Sequence, residues 1–215
     1  MAEDEISVHE ERDDSGKLIR TVSMKGNTPH GETVIYDAKG NIAYKVNYVD
    51  GVLSGAAEFF SDGLPLMTTA FKDGKQDGET TFFSNGVKSA TVIYKNGLFE
   101  GDFTSFDADG NVTRVAEYVG GKQHGTCQVF YPDGTLLEQS TYKDGQLDGQ
   151  LVRCFPNGAV MEISRCRQTV WLHRQIRYGW EFNLTYGSIN KHQFVFVIFP
   201  YIFSFSTSNI FSKIT

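Results

Sequence analysis

The sequence predicts an all-β fold, an elongated solenoid of stacked antiparallel β-hairpins followed by an atypical C-terminal tail. Three observations predict it. A glycine–aromatic pattern recurs every 23 or 24 residues over most of the chain. Asp-Gly or Asn-Gly pairs punctuate the period, as hairpin tips with positive φ require. The stretches between them are short and rich in Thr, Val, Ile, Phe and Tyr, residues that fit a pleated surface. A repeat of this regularity fixes architecture before any single residue is considered.

The elements follow in order. Loop glycines stand at Gly31, Gly55, Gly78, Gly101, Gly125 and Gly149. A second series, Gly40, Gly63, Gly86, Gly110, Gly134 and Gly158, marks turns such as Ser61-Asp62-Gly63 and Pro132-Asp133-Gly134. A third runs Gly51, Gly74, Gly97, Gly121 and Gly145. Before each turn comes an aromatic: Tyr36, Phe60, Phe83, Phe106, Tyr131 and Phe155. A second aromatic column is Tyr48, Phe71, Tyr94, Tyr118 and Tyr142. Each period therefore reads as one hairpin, joined to the next by a Gly-x-x-x-Gly loop such as Gly74 to Gly78. One hairpin cannot bury enough apolar surface to stand alone, but stacked hairpins cover each other's rings. The two aromatic columns are expected to run as a ladder along one face. Most of their members are expected to pack hairpin on hairpin, and those left half-open form a candidate partner face.

These residues resemble the MORN repeat family, and more closely its bacterial variant form. Tyr131-Pro132-Asp133-Gly134 and Tyr142-Lys143-Asp144-Gly145 are similar to that family's signature segments. The resemblance covers residues 16–166, with five well-formed units and a degenerate one at each end. It implies a hairpin solenoid with a binding or scaffolding role. Bacterial members of the variant group are often assigned as antitoxin-like proteins of the YwqK type. Similar repeats stand beside catalytic domains in lipid kinases and in a lysine methyltransferase, and no such domain is expected here.

Three segments are expected: an acidic N-terminal segment at 1–15, the repeat array at 16–166 and an aperiodic, aromatic-rich tail at 167–215. Residues 1–162 hold 25 acidic and 14 basic side chains, a net charge of −11, whereas 163–215 hold one acid and six bases, a net charge of +5. An acidic body disfavours nucleic acid and anionic membrane surfaces and accommodates a basic or neutral protein more easily. The N-terminus lacks the basic and apolar runs of a secretory signal. Cys127, Cys154 and Cys166 are odd in number and fall at unequal repeat slots, unlike a disulfide framework. Both features point to the cytoplasm.

In the tail, Cys166 stands where a tyrosine is expected and Thr169 where a loop glycine is expected. The apolar run Phe194 to Phe205 is interrupted by Pro200 and is short for a membrane span. Three readings stand for it: strands capping the array, a short membrane-associating anchor, or a segment joined after a shifted reading frame. Composition, charge and period all break at one place, which favours the last.

Chemistry-bearing constellations are few. His30 and His124 share the slot before a loop glycine with Ser54, Asp77, Glu100 and Asp148. That slot reads as a solvated turn position more readily than as a polar ladder for cations or a basic partner. Zinc at the cysteines with His124 would lack the close Cys-x-x-Cys pair of structural sites, so buried thiols are expected and no metal. No nucleophile elbow, phosphate loop or His-Glu-x-x-His motif is present. The chain is expected to be no enzyme, to need no cofactor, and to bind a protein partner. Membrane association is expected only through the tail.

Overall fold

The computed structural model describes residues 5–166 with their side chains, and beyond them the backbone of Arg167 and of four further strands. Every described element is a strand, and the described contacts divide into two compact units. One comprises Met1–Asn111 with Tyr118–Gly121, the other Val112–Glu117 with Lys122–Thr215.

The first unit contains β1 (Ile6–Arg12), β2 (Leu18–Lys25), β3 (Thr28–Tyr36), β4 (Ile42–Val49), β5 (Val52–Leu53), β6 (Gly55–Ser61), β7 (Leu64–Lys72), β8 (Lys75–Gln76), β9 (Gly78–Ser84), β10 (Val87–Lys95) and β11 (Leu98–Phe106). Each pairs antiparallel with its sequence neighbour, the short β5 and β8 serving as the opening residues of the strands that β6 and β9 continue. β12 (Val112–Val119) has residues in both units. The second unit is itself an antiparallel meander of β13 (Lys122–Phe130), β14 (Leu136–Lys143), β15 (Gln146–Cys154), β16 (Val160–Arg167), β17 (Val170–Arg177) and β18 (Trp180–Thr185). β19 (Gln193–Ile198) and β20 (Tyr201–Ser206) pair with each other. The side chains that would separate a cap, an anchor and a shifted frame lie outside the described residues. β1 pairs with β2, so the acidic N-terminal stretch contributes a strand.

Two turn chemistries occur, and the residues dictate both. At Asp50-Gly51, Asp62-Gly63, Asp73-Gly74, Asn85-Gly86, Asn96-Gly97 and Asp144-Gly145 both central residues have positive φ, between 47° and 83°. This is the two-residue hairpin turn whose twist matches the flanking strands, and Asp or Asn followed by Gly tolerates it best. The longer turns run Asp13 to Lys17, Asp37 to Asn41, Asp107 to Asn111, Tyr131 to Thr135 and Phe155 to Ala159. In each, the first residue's carbonyl accepts from the glycine N–H three positions on, and its own N–H donates to the residue after that glycine.

Where that first residue is aspartate, its carboxylate serves the loop as well. Asp107 Oδ1 accepts the N–H groups of Asp109 (3.0 Å) and Asn111 (2.8 Å), and Asp13 and Asp37 repeat the arrangement. The Asn111 side-chain amide, then its backbone N–H, hold the Asp107 carboxyl below the usual aspartate range. A carboxylate depressed in the folded state stabilises it fully above the unfolded pKa, and that contribution is lost as pH falls through the folded value. The amide shifts of Asp109 and Asn111 should therefore titrate together at a pH below that of an unstructured aspartate. A midpoint at the ordinary value in an NMR titration would contradict this.

The expected linker from Gly74 to Gly78 is tighter than a loop. It is a two-residue tip, then β8, then a bulge at Gly78. Opposite the five residues Met67 to Phe71, β8 and β9 use the seven from Gln76 to Phe82. The same two-residue excess occurs in β11, where Phe99 and Phe103 face Tyr94 and Val92.

The most buried positions are small. Cross-strand pairs Thr33 with Val46, Ala57 with Thr69, and Thr80 with Val92 form a buried file through the first unit. Cys127 with Ser140 repeats the pattern in the second, where Ala116 and Ser164 are also buried. A small residue on one sheet becomes inaccessible only when larger neighbours on the same face close over it. Side chains two positions away share its face. Those neighbours include Tyr44 and Tyr48 beside Val46, Met67 and Phe71 beside Thr69, and Phe82 beside Thr80.

Candidate functional site

The side-chain row with the most contact chemistry is the ring-bearing face of the first unit. Partners in an antiparallel pair share a face, so the register assembles it: Ile35 with Tyr44, Tyr44 with Phe59, Phe59 with Met67, and Met67 with Phe82. Tyr44 and Phe59 stack at 5.9 Å between centroids. Further along, Tyr94, Phe99, Phe103 and Tyr118 form one cluster. Phe99 meets Tyr94 edge-on at 4.9 Å and Tyr118 at 5.3 Å, and stacks with Phe103 at 6.5 Å. Burial raises the Tyr94 phenol's pKa.

All eleven column rings predicted from the period are half-buried: Tyr36, Tyr48, Phe60, Phe71, Phe83, Tyr94, Phe106, Tyr118, Tyr131, Tyr142 and Phe155. The second column has a specific partner. Tyr48, Phe71 and Tyr94 lie directly opposite the loop glycines Gly31, Gly55 and Gly78 in the first unit, and Tyr142 opposite Gly125 in the second. A ring can lie across a glycine because no Cβ stands in its way. Cys166 occupies the same place opposite Gly149, so the pairing continues where the ring is lost. Gly101 has the same loop role in β11, and Gly40, Gly63, Gly86, Gly110 and Gly134 sit at turns with φ of 78–90°. The first column stands at the turns. Its Tyr131 hydroxyl donates to the Cys154 carbonyl, one repeat on, at 3.0 Å.

The slot before the loop glycine is a clasp between hairpin tips. Asp77 accepts the Asn96 N–H (3.1 Å) and Glu100 accepts the Gly120 N–H (2.9 Å). His30 Nδ1 lies 3.1 Å from Asp50 Oδ1, and His124 Nδ1 lies 3.9 Å from Asp144 Oδ1. Each pairing reaches the tip of the following repeat. Beside it, the tip glycines Gly51, Gly74, Gly97, Gly121 and Gly145 donate their N–H groups back to Pro29, Leu53, Gln76, Phe99 and Gln123 at 2.7–2.9 Å. Sequence reading placed these residues at an exposed turn and missed the clasp, although its 19- or 20-residue step was available.

The cysteines Cys127, Cys154 and Cys166 are buried and unpaired. Arg114 Nε donates to Cys127 Sγ at 3.3 Å. His124 instead faces Asp144. Among the described residues no group of three His, Cys, Asp or Glu side chains is placed to hold a metal ion. At the far end of the second unit, Arg153 bridges Glu138 (2.8 Å) and Glu162 (3.5 Å), which hold its guanidinium protonated.

The MORN repeat variant family matches at residues 29–50 and 123–144. The chain carries MORN-variant repeats at these two places. The matches fall at one phase of the period, each running from the tip-clasp region through a loop glycine and both aromatic columns to the tip aspartate, Asp50 or Asp144. MORN repeats serve generally as protein- or membrane-binding modules, and are generally non-enzymatic. No curated protein matches the chain. Among solved structures, a porin-like protein from Bacteroides uniformis ATCC 8492 aligns at 14% identity with a TM-score of 0.28, over 87% of this chain and 61% of that one. The chain thus spans about three fifths of that protein's length.

Proposed function

We propose that this MORN-variant chain is a non-catalytic scaffold that binds another protein through the ring-bearing face of its first unit. The observation that carries the reading is the half-exposed row Tyr44, Phe59, Met67 and Phe82, set side by side by the strand register. Rigid aromatic side chains lose little entropy on docking and are frequent anchors of protein interfaces. The antitoxin-like role implied by the resemblance is a specialised form of this binding, with a toxin as partner. Three buried, unpaired thiols accord with a reducing compartment, and we place the protein in the cytoplasm. The alternative reading, a membrane anchor in the tail, rests on side chains outside the described residues.

The test is affinity capture with the full chain and with a Phe59→Gln/Phe82→Gln double variant. Circular dichroism and a melting curve establish that the variant folds. The expected result is a protein captured by the parent and reduced at least about tenfold with the variant, since two interface anchors carry about 1–2 kcal/mol each. Equal capture by both chains would remove the ring face as the binding surface. Expressing the captured partner alone and with this chain then addresses the specialised role. Growth arrest relieved by co-expression supports an antitoxin, and arrest that persists rejects it.

A further inference from the structure

We propose that Asn85 is a site of spontaneous covalent modification, where the asparagine becomes aspartate or isoaspartate through a cyclic imide with the Gly86 backbone nitrogen. This goes beyond the protein-binding reading and does not depend on it.

The reaction needs a glycine after the asparagine, a free N–H on that glycine and a free side-chain amide. Hydroxide takes the proton from the glycine nitrogen, which then attacks the asparagine Cγ. The bond from Cγ to the amide nitrogen breaks, and that nitrogen leaves as ammonia with a proton from water. Water then opens the imide. Cleavage between the glycine nitrogen and Cγ gives aspartate. Cleavage between that nitrogen and the main-chain carbonyl carbon gives isoaspartate, whose backbone runs through Cβ and Cγ. In sum, water is consumed and ammonia released, with no oxidant or cofactor.

The chain has three Asn-Gly pairs, Asn85-Gly86, Asn96-Gly97 and Asn157-Gly158, and the fold treats them differently. At the second, the Gly97 N–H donates to the Gln76 carbonyl at 2.7 Å and the Asn96 N–H to Asp77 Oδ2 at 3.1 Å. The tip clasp thus withholds the nucleophile. At the third, the Gly158 N–H donates to the Phe155 carbonyl at 2.8 Å, and Asn157 Oδ1 accepts the Ala159 N–H at 3.0 Å. Nucleophile and electrophile are both held there. At Asn85 neither is. The turn is closed by the pairing of Ser84 with Val87. Among the described residues, the Gly86 N–H and the exposed Asn85 side chain have no hydrogen-bond partner. Every other asparagine precedes a residue with a side chain, which crowds the attack.

The fold receives the two products differently. Aspartate already stands at the equivalent tip Asp62-Gly63, where φ is 50° and 78°, against 51° and 80° at Asn85-Gly86. That product keeps the turn. Isoaspartate puts an extra carbon into the main chain of a two-residue tip whose length sets the register. The pairings nearest the tip, Val87 with Ser84 and Lys88 with Phe83, are the ones it disturbs. β9 also carries Phe82, so the isomer acts on the hairpin that presents one member of the ring row.

The test is peptide mapping by mass spectrometry on the full chain, incubated folded in mildly alkaline buffer and, in parallel, unfolded in urea. Methylation by an isoaspartyl methyltransferase distinguishes isoaspartate from aspartate. Unfolded, the three Asn-Gly pairs should convert at comparable rates. Folded, Asn85 is expected to convert at least about fivefold faster than Asn96 or Asn157, since each of those first gives up two hydrogen bonds. Equal rates at the three sites in the folded chain would overturn the proposal. So would faster conversion at Asn96 or Asn157, or none at Asn85 over the period in which the unfolded chain converts. An Asn85→Asp chain is expected to melt with the parent, and the isoaspartate-bearing chain below both. An isoaspartate chain that melts with the parent would overturn the register change.

Discussion

Val92→Asp should cost at least about 4 kcal/mol and leave the first unit unfolded at neutral pH, because it places an unpaired carboxylate in the interior. Val92 is 1% exposed, and its cross-strand partners are Thr80 and Phe103. Phe103 has no polar group to offer. The Thr80 hydroxyl is already engaged with that of Thr69, at 2.5 Å. Burial raises the folded-state pKa of the introduced carboxyl above its unfolded value of about 3.9. The variant's deficit against the parent is therefore smallest below that value and grows as pH rises through and beyond it. Urea melts of both chains at about pH 3.5 and pH 7 measure the difference, and comparison at equal pH removes the acid response of the turn aspartates. Val92→Thr, close in volume, should lose only about 1–2 kcal/mol. A charged variant within about 1 kcal/mol of the parent at neutral pH would mean that Val92 is not in the interior.

The hairpins and their turns were legible because each is decided locally. Asp73-Gly74 or Asn85-Gly86 can form a two-residue turn by its own backbone preferences, whatever surrounds it. The aromatic columns were legible because the period repeats them. The identity of the interior was less so. Large rings were expected to provide it, yet the inaccessible file is Thr33, Ala57, Thr80 and Cys127, two residues after the loop glycines, with Val46, Thr69, Val92, Ala116 and Ser140, two before the second-column rings. The period contained that information, but apolar patterning draws attention to large side chains. Which side chain becomes covered depends on the rings two positions away, a tertiary effect that hydrophobicity alone does not encode.

The tip clasp escaped for a related reason. Asp77 and Glu100 look like solvated loop residues in a linear reading, and their partners are backbone N–H groups 19 and 20 residues on. A backbone donor leaves no trace in residue identity. The histidine cases were closer to legible, since His30 with Asp50 and His124 with Asp144 pair two recognisable side chains at one spacing. Doublets such as Phe59-Phe60 and Phe82-Phe83 posed the third difficulty. The register shift between Phe59 and Phe60 gives the two rings different roles, the first in the ring-bearing row and the second at the turn. Strict alternation would simply have sent one of them to solvent.

Gly55→Val should destabilise the first unit by about 3 kcal/mol, the sum of backbone strain and one lost side-chain hydrogen bond. Gly55 has φ of +100°, which a β-branched residue rarely adopts. A Cβ there would stand 3.3 Å from Asn47 Cβ, closer than ordinary van der Waals contact. Asn47 is not free to retreat, because its side-chain amide donates to the Ala56 carbonyl at 2.8 Å. Phe71 lies directly across from Gly55 and fixes the strand from the other side. The comparison is Gly63→Ala, where φ is +78° and a Cβ meets nothing within 4 Å, so only the backbone preference of about 1 kcal/mol is lost. Urea unfolding with equal slopes for the two variants isolates the stability change. The loop glycine is specified by close approach as well as by φ. Equal losses at the two positions would reduce it to a turn residue like any other and dissolve the argument that rings and glycines are matched across the strands.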